Sequence, residues 1–378
     1  MRIELTPEQQ RFRDEVRAFV AREVAPLATE TDRTGNFPKA QLEAAAAAGY
    51  LGPLIPREYG GMGLDHVAEV ILIEEVSYAC ASTGFLLSAD TTTATLPILD
   101  YGTPEQKQAY LPVIARNIAC VAITEPGAGS DVAAQTTTAT LDGDHWVLNG
   151  HKRFGTSGAR AKVFTITAVT DPEKGPKGIS AFIAEAGWPG IRIGRREDTM
   201  GLRGAEVVDL HLEGLRIPRK NLLGDRGAGM RICLSSIDCG RISISAQALG
   251  IARAALDLAI THAMRRNAFG KPIAEHQAIQ FALADMATEI EAARLLVYRA
   301  ATVADSGVRY SKEAAMAKLT ASQTAKRCAD RSLQIHGGSG YTKESVIERL
   351  YRDCRVSELY EGTSEIMRMV VARAVTGL

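Results

Sequence analysis

Apolar positions along the chain follow two different spacings, and the spacing changes twice. Over residues 1–118 they recur three to four apart, the period of a helix face. Thr6-Pro7-Glu8 offers a cap, a proline at the first helical position and an early acid. "KAQLEAAAAAGYLG" reads as an alanine-rich helix stopped at Gly49, "PREYGGMG" as a turn-rich connection, and "DHVAEVILIEEVSYACAS" as a return to helical spacing. "TPEQKQAYLPVI" repeats the Thr-Pro-Glu start. Over residues 119–228 the segments shorten and fill with Thr, Val, Ile and aromatics: "QTTTATL", "HWVLNGHKRF", "AKVFTITAV", "GISAFIAEA" and "EVVDLHLEGLRI". "DGD" and "DPEKGPKG" separate them, and strands this short predict a small antiparallel barrel or sandwich. Over residues 229–378 three long amphipathic stretches return, beginning at "ISISAQALG", "HQAIQFALAD" and "KEAAMAKLTA". With a final helix they make a four-helix bundle. The chain is therefore read as α+β: an N-terminal helical domain, a middle antiparallel β-domain and a C-terminal four-helix bundle.

Composition narrows the function classes. A chain of 378 residues exceeds one ordinary core. Lys plus Arg equals Asp plus Glu, 44 each, so no nucleic acid or anionic membrane surface is expected as a partner. An apolar share of 46% argues against disorder. The six cysteines, at 80, 120, 233, 239, 328 and 354, form no C-x-x-C pair and read as reduced thiols of a cytoplasmic protein. The charged start "MRIELTPEQQRFRDEVRAFV" is neither a secretory nor a transit peptide, and no run of 18 apolar residues predicts a membrane span.

Five stretches carry candidate chemistry. In "LYEGTSEIM", Glu361 stands at a glycine corner before a helix that Thr363 or Ser364 can start, with an apolar stripe of Ile366, Met369, Val370 and Ala374. Either the helix N-terminus attracts the carboxylate, or the corner holds a catalytic base. "AITEPGAGSD" follows a predicted strand; its glycines free backbone N–H groups, and Thr124 and Ser130 add hydroxyls, which suits a planar polar ring or a phosphate as well as a tight turn. It lacks the Rossmann fingerprint, because Val132 stands at the third glycine position. "RRNAFGKPIAEHQ" joins two helices and could grip a diphosphate through Arg265 or Arg266, or only complement a helix end. "QIHGGSGY" is either a helix C-cap or a backbone approach to a nucleotide. Asp238 and Arg241 share a helix face as an ion pair or as ligand contacts. His276 and His336 have no partners at metal spacing, so no metal is expected.

In their order, "PREYGGMG", "AITEPGAGSD", "WVLNGHKRF", "GLRGAEV…LRIPRKNLLG", "DCGRISISAQALGIARAAL", "RRNAFGKPIAEHQAIQ", "QIHGGSGY" and "LYEGTSEI" resemble the acyl-CoA dehydrogenase family over nearly the whole chain. The similarity is greatest to its short-chain, butyryl-type members. The resemblance implies domains at 1–118, 119–228 and 229–378, FAD as cofactor, an acyl-CoA substrate, electron-transferring flavoprotein as acceptor and a homotetramer built as a dimer of dimers. It implies that Thr124, Ser130, Phe154 and Thr156 contact the isoalloxazine. Arg266, Phe269, Gln277, Gln334, Gly337 and Gly338 would hold the diphosphate and adenosine of a neighbouring subunit's FAD, with Thr363 and Glu365 as further contacts. Ser130, Asp238, Arg241 and Gly362 would meet the substrate, and Glu361 would be the base.

Two departures stand out. Phe154-Gly155-Thr156-Ser157 replaces the family's aromatic-Ile-Thr-Asn, so Gly155 is expected to loosen the backbone beside the flavin. Met367 stands where glutamine is common. Two other readings remain: a dehydrogenase of a branched, cyclic or carrier-protein-bound acyl group, and a non-catalytic protein that has kept the fold.

Overall fold

The computed structural model describes residues 4–377. Seven helices come first: α1 (Pro7–Phe19), α2 (Ala28–Thr34), α3 (Lys39–Ala47), α4 (His66–Ala79), α5 (Ala81–Ser88), α6 (Leu96–Tyr101) and α7 (Pro104–Ile114). The two Thr-Pro-Glu signals hold as capping boxes. Thr6 and Thr103 each accept a bond from the main-chain N–H three residues on, and Gln9 and Gln106 return it. Gly49 takes φ +82° two residues beyond α3, where a side chain would be strained.

The middle strands are β1 (Ala119–Ala122), β2 (Thr138–Asp142), β3 (His145–Thr156), β4 (Val163–Val169), β5 (Ile179–Glu185), β6 (Ile191–Arg196), β7 (Val207–Pro218) and β8 (Leu222–Leu223). They pair in the order β6-β7-β3-β2-β4-β5-β8, mostly antiparallel as expected. Two contacts are parallel, β1 with β4 and β2 with β4. Turn spacing left a barrel or a sandwich open; among the described residues the ladder is an open path from β6 to β8. Turn spacing counts strands but says nothing about whether the end strands meet. β4 and β5 are apolar without alternation because both faces are covered. Phe164, Ile166 and Phe182 face the sheet's own core, while Val163, Ala181 and Ile183 pack against Leu111 and Ile114 of α7.

The C-terminal part holds α8 (Gly229–Arg265), the two-residue strands β9 (Asn267–Ala268) and β10 (Lys271–Pro272), α9 (Gln277–Asp305), α10 (Ser311–His336), α11 (Val346–Cys354) and α12 (Ser364–Thr376). α8 is the central element. It is long and apolar enough to cross a membrane, yet most of that stretch is buried, packed against α4, α9 and α10. Its buried residues include seven alanines and three glycines, which let neighbouring backbones come close. Glu74 and Glu75 of α4 are buried there but not unpaired. Arg253 of α8 lies 2.9 Å from Glu74 and 3.1 Å from Glu75, Arg17 of α1 3.0 Å from Glu75, and Arg294 of α9 3.2 Å from Glu74. This charge cluster ties the N-terminal helices to the bundle.

The expected stripe on α12 is not buried. Met369 is 48% exposed, and only Ser364 and Met367 of this helix are buried. α12 packs mainly on α10, so one edge is covered and the remaining apolar edge stays open.

Gly250 marks a close approach of α8 to α4: a Cβ there would overlap the Glu74 carbonyl oxygen and stand 2.8 Å from the Tyr78 nitrogen. Gly250→Ala is expected to force the helices apart at about 1–3 kcal/mol, read as a lower thermal unfolding midpoint with the helical circular-dichroism signal unchanged below it.

Candidate active site

Glu361 and Gly362 form a left-handed corner between α11 and α12, with φ +52° and +97°. Positive φ is costly for glutamate, so the surrounding structure must hold it there. Two buried cations do so. Arg241 of α8 donates through Nε to the Glu361 carbonyl at 3.0 Å, and Lys318 of α10 donates through Nζ to the Gly362 carbonyl at 2.6 Å. Tyr360 is anchored by its hydroxyl to Gln247 and stacks on Phe85, ring centroids 5.2 Å apart. Thr363 caps α12 by accepting from the Ile366 N–H at 3.3 Å. Gly362 is required twice over, since its φ is positive and a Cβ would stand 2.7 Å from the Met367 methyl. Met367, the second departure, is the buried floor of the corner.

The Glu361 side chain points into the protein. Its Oε2 is buried with no hydrogen-bond partner, and Gly240 makes the room. A Cβ on Gly240 would lie 2.9 Å from that oxygen and 2.7 Å from the Thr93 methyl. Burial pushes the carboxyl up to about 7, and the charges of Arg241 and Lys318 keep it from rising further. Burial likewise pulls the Lys318 ammonium down to about 8. Among the described residues, neither the Glu361 nor the Gly362 N–H donates to a group within the chain. A buried carboxylate that titrates near neutrality can take a proton, and the free N–H donors beside it can bind an oxyanion.

The second group of expected residues lies where β1 leads into the "EPGAGSD" turn and where β3 ends. Glu125 and Ala128 close the turn by exchanging main-chain bonds of 3.1 Å. Lys152, fully buried on β3, fixes its base through Glu125 at 2.8 Å, Gln135 at 2.9 Å and the Ile123 carbonyl at 3.1 Å. Burial works against the Glu125 carboxylate, but Lys152 and the N–H groups of Thr136 and Thr137 outweigh it and hold the carboxyl at about 2. The Thr124 carbonyl accepts from the Arg153 N–H at 2.7 Å, which ties Thr124 to the end of β3 that carries Phe154 and Thr156. Phe154 has φ +57° and its side chain is 50% exposed. Gly155 is not loose as expected. It sits in a register shift between β3 and β7, where a Cβ would lie 3.0 Å from Leu210 Cδ1, and Ser157, two residues on, is pinned by its N–H to the Glu206 carbonyl at 2.8 Å.

The third group lies at the far ends of α8 and α10. Phe269 and Gly270, φ +54° and +83°, make the turn of the β9–β10 hairpin, and Phe269 is 96% exposed. Arg266, Gln277 and Gln334 are exposed nearby; His262 and His336 stack at 4.3 Å and hold the two helix ends together. Among the described residues no hydrogen bond links this group to the turn around Thr124.

These surfaces fit a flavin nucleotide. Gly127, Gly129, Gly337 and Gly338 have nothing within 4 Å of a Cβ position, so the backbone there is open to a ligand. The hydroxyls of Thr124, Ser130 and Thr156 make no bond within the described chain, and Phe154 offers an exposed ring face. Asp238 accepts from Arg241 at 2.6 Å and from the Ser311 hydroxyl, and lines a cleft of about 610 Å³ with Lys177, Arg231 and Arg309. Glu365, in the first turn of α12, is exposed. The sequence reading missed Lys318 and Gln247. Lys318 had a signal: it interrupts the buried stripe Ala314, Ala321, Ala325 of α10.

Three profiles match the chain: "Acyl-CoA dehydrogenase, N-terminal domain" over residues 6–117, the middle domain over 120–215 and the C-terminal domain over 227–376. The chain is 46% identical over 372 residues to the short-chain specific acyl-CoA dehydrogenase, mitochondrial, of Bos taurus, covering 98% of this chain and 90% of that one. Butyryl-CoA dehydrogenase from Megasphaera elsdenii matches with a TM-score of 0.97 at 38% identity over all of both chains. A chain in a structure described as the electron transferring flavoprotein of Acidaminococcus fermentans matches with a TM-score of 0.98 at 43% identity over 99% of each.

Lys318→Met keeps the bulk but removes a positive charge that lowers the Glu361 pKa, and releases the Gly362 carbonyl. The pKa then rises, so the pH at which a Glu361-dependent rate is half-maximal should move upward from about 7. A pH–rate profile measures the shift.

Proposed function

The chain belongs to the acyl-CoA dehydrogenase family, FAD-dependent oxidoreductases, and from that premise we propose that Glu361 is the base that takes the α-proton of a short-chain acyl-CoA. The observation that carries this reading is the buried, unpartnered Oε2 of Glu361 on a corner held from both sides. The α-proton of a thioester is only weakly acidic, so the base must be poised and the developing oxyanion met by donors. A carboxyl titrating near 7 is about half ionised in neutral solution, and its ionised form is basic enough to accept that proton. The free Glu361 N–H is the chain's own donor to the thioester oxygen. FAD, when bound, supplies the acceptor for the hydride leaving the β-carbon. Atoms balance: α-proton to Glu361, β-hydride to the cofactor, and a trans-2-enoyl thioester as product.

Other parts follow from the same reading. Thr124, Ser130, Phe154 and Thr156 form the isoalloxazine side, with Thr363 and Glu365 as further cofactor contacts. Asp238, Arg241, Ser130 and Gly362 form the substrate side; for Arg241 the tie to the Glu361 carbonyl supports a positioning role as well. The basic lining of the cleft beside Asp238 suits the phosphates of CoA. Domain limits near residues 118 and 228 agree with this division of labour. Arg266, Phe269, Gln277, Gln334, Gly337 and Gly338 serve a second subunit's FAD, which their separation from the Thr124 turn supports. A homotetramer is the matching assembly, supported by exposed Met264, Phe269 and Phe281 around that group. Electron-transferring flavoprotein is the acceptor, supported by the solved relative described with such a protein. Six free, buried cysteines support a reducing compartment such as the cytoplasm.

Two measurements test this. Glu361→Gln should stay folded and yellow and still bind acyl-CoA, while flavin bleaching under anaerobic conditions slows by about 100- to 10,000-fold or more. In wild type the rate should rise with pH through about 7, as Glu361 loses its proton, with the fastest bleaching for short straight chains. Near wild-type bleaching in the Gln variant sinks the role of Glu361; fastest bleaching by long, branched or carrier-bound acyl groups sinks the chain length. Arg266→Ala should lose FAD on gel filtration more readily than wild type, since a charge-assisted bond to phosphate goes, and unchanged flavin content removes Arg266 from the site.

A further inference from the structure

We propose that His151, Asp209 and His211 form a binding site for a divalent transition-metal ion of the zinc class, on one face of the middle sheet and apart from the chemistry at Glu361. The strand register builds it. His151 of β3 pairs directly with His211 of β7, so both rings stand on the same face, and Asp209 lies two residues along β7 on that face. The imidazoles stack with centroids 4.3 Å apart at an interplanar angle of 15°. One ligand atom from each of the three residues lies within 4.8 Å of the other two.

The cluster is unsatisfied as it stands. His151 Nε2 and Asp209 Oδ1 are both buried without a hydrogen-bond partner. His151 Nε2 lies 3.4 Å from Asp209 Oδ2, and Arg153 Nε 3.9 Å from Asp209 Oδ1, while the Arg153 guanidinium is engaged by Glu197 at 2.9 Å. Buried polar atoms in native proteins normally find partners, and a cluster of orphans calls for a ligand. Gly194 of β6 packs closely against the cluster: a Cβ there would stand 2.7 Å from His211 Nε2 and 3.0 Å from Asp209 Cβ, so a side chain at this position would crowd the ligand atoms.

The donor set selects the ion. Two imidazole nitrogens and one carboxylate oxygen suit zinc and its neighbours, whereas calcium and magnesium want oxygen alone. Ligand atoms around tetrahedral zinc lie about 3.3 Å apart, so binding requires the two rings to turn out of their stack until their in-plane lone pairs meet at one ion. Three protein ligands leave a fourth position for water. The bound ion would cross-link β3 and β7 three residues from Phe154.

The test uses the FAD-loaded protein, freed of metal with a chelator and titrated with zinc chloride in a calorimeter. One ion per chain is expected, with a dissociation constant on the order of 1 μM or tighter, together with a raised thermal midpoint. His151→Ala and His211→Ala should each weaken binding by at least about tenfold while flavin content stays at the wild-type level. X-ray absorption at the zinc edge of the wild-type protein decides independently of whether the variants fold. Nitrogen and oxygen neighbours at about 2.0–2.1 Å with imidazole scattering are expected; sulfur at about 2.3 Å would assign the ion to cysteines and overturn the proposal. No saturable binding up to about 100 μM, or unchanged affinity in both folded histidine variants, would overturn it as well.

Discussion

Two hydrogen bonds from buried cations to consecutive carbonyls, Arg241 to Glu361 and Lys318 to Gly362, are what the site depends on. They hold a left-handed glutamate in place. Without them the chain between α11 and α12 would relax to an ordinary turn, and the carboxylate would swing away from Gly240. The same two charges set the electrostatics. Burial raises the Glu361 carboxyl and the two cations oppose that rise, leaving it at about 7. Geometry and basicity thus share one cause, and that cause needs α8, α10 and the α11–α12 corner to be packed together.

The middle sheet repeats the pattern of a buried cation beside a carboxylate. There a buried lysine, Lys152, is neutralised by Glu125 and surrounded by Gln135, Thr167 and a carbonyl. Buried pairs of this kind add little net stability, because desolvation offsets the attraction. Their value lies in specifying one arrangement. Here they fix the turn bearing Thr124 and Ser130 relative to the end of β3. Both halves of the site therefore rest on a buried polar tie, and both ties start from a lysine or arginine on a rigid element.

Much was legible along the chain. Thr6 and Thr103 announced helix starts, the Thr- and Val-rich segments announced strands, and the glycine corner after Tyr360 singled out Glu361. The motif order identified the family, which then assigned roles that local pattern had left open. Elsewhere local pattern misled. The stripe on α12 has helical period, but period alone does not say that a second surface is there to cover it. Gly155 suggested freedom, while the register shift and Leu210 make it a close-packed point. His151 and His211 are sixty residues apart, and no spacing rule connects them; only the β3–β7 register does.

The sequence by itself determined the helices and strands, their caps, the order of the three parts and the presence of a carboxylate at a flexible corner. These are properties of short segments, decided by side-chain period, proline and glycine placement and local hydrogen bonding. The tertiary structure alone decided that Gly240 would vacate the space for that carboxylate, that Lys318 would reach a carbonyl 44 residues away along the chain, and that Glu361 Oε2 would be buried without a partner. Those facts depend on how α8 and α10 are rotated and how closely they approach. Rotation and distance are set by the packing of many side chains at once, and no single segment carries them.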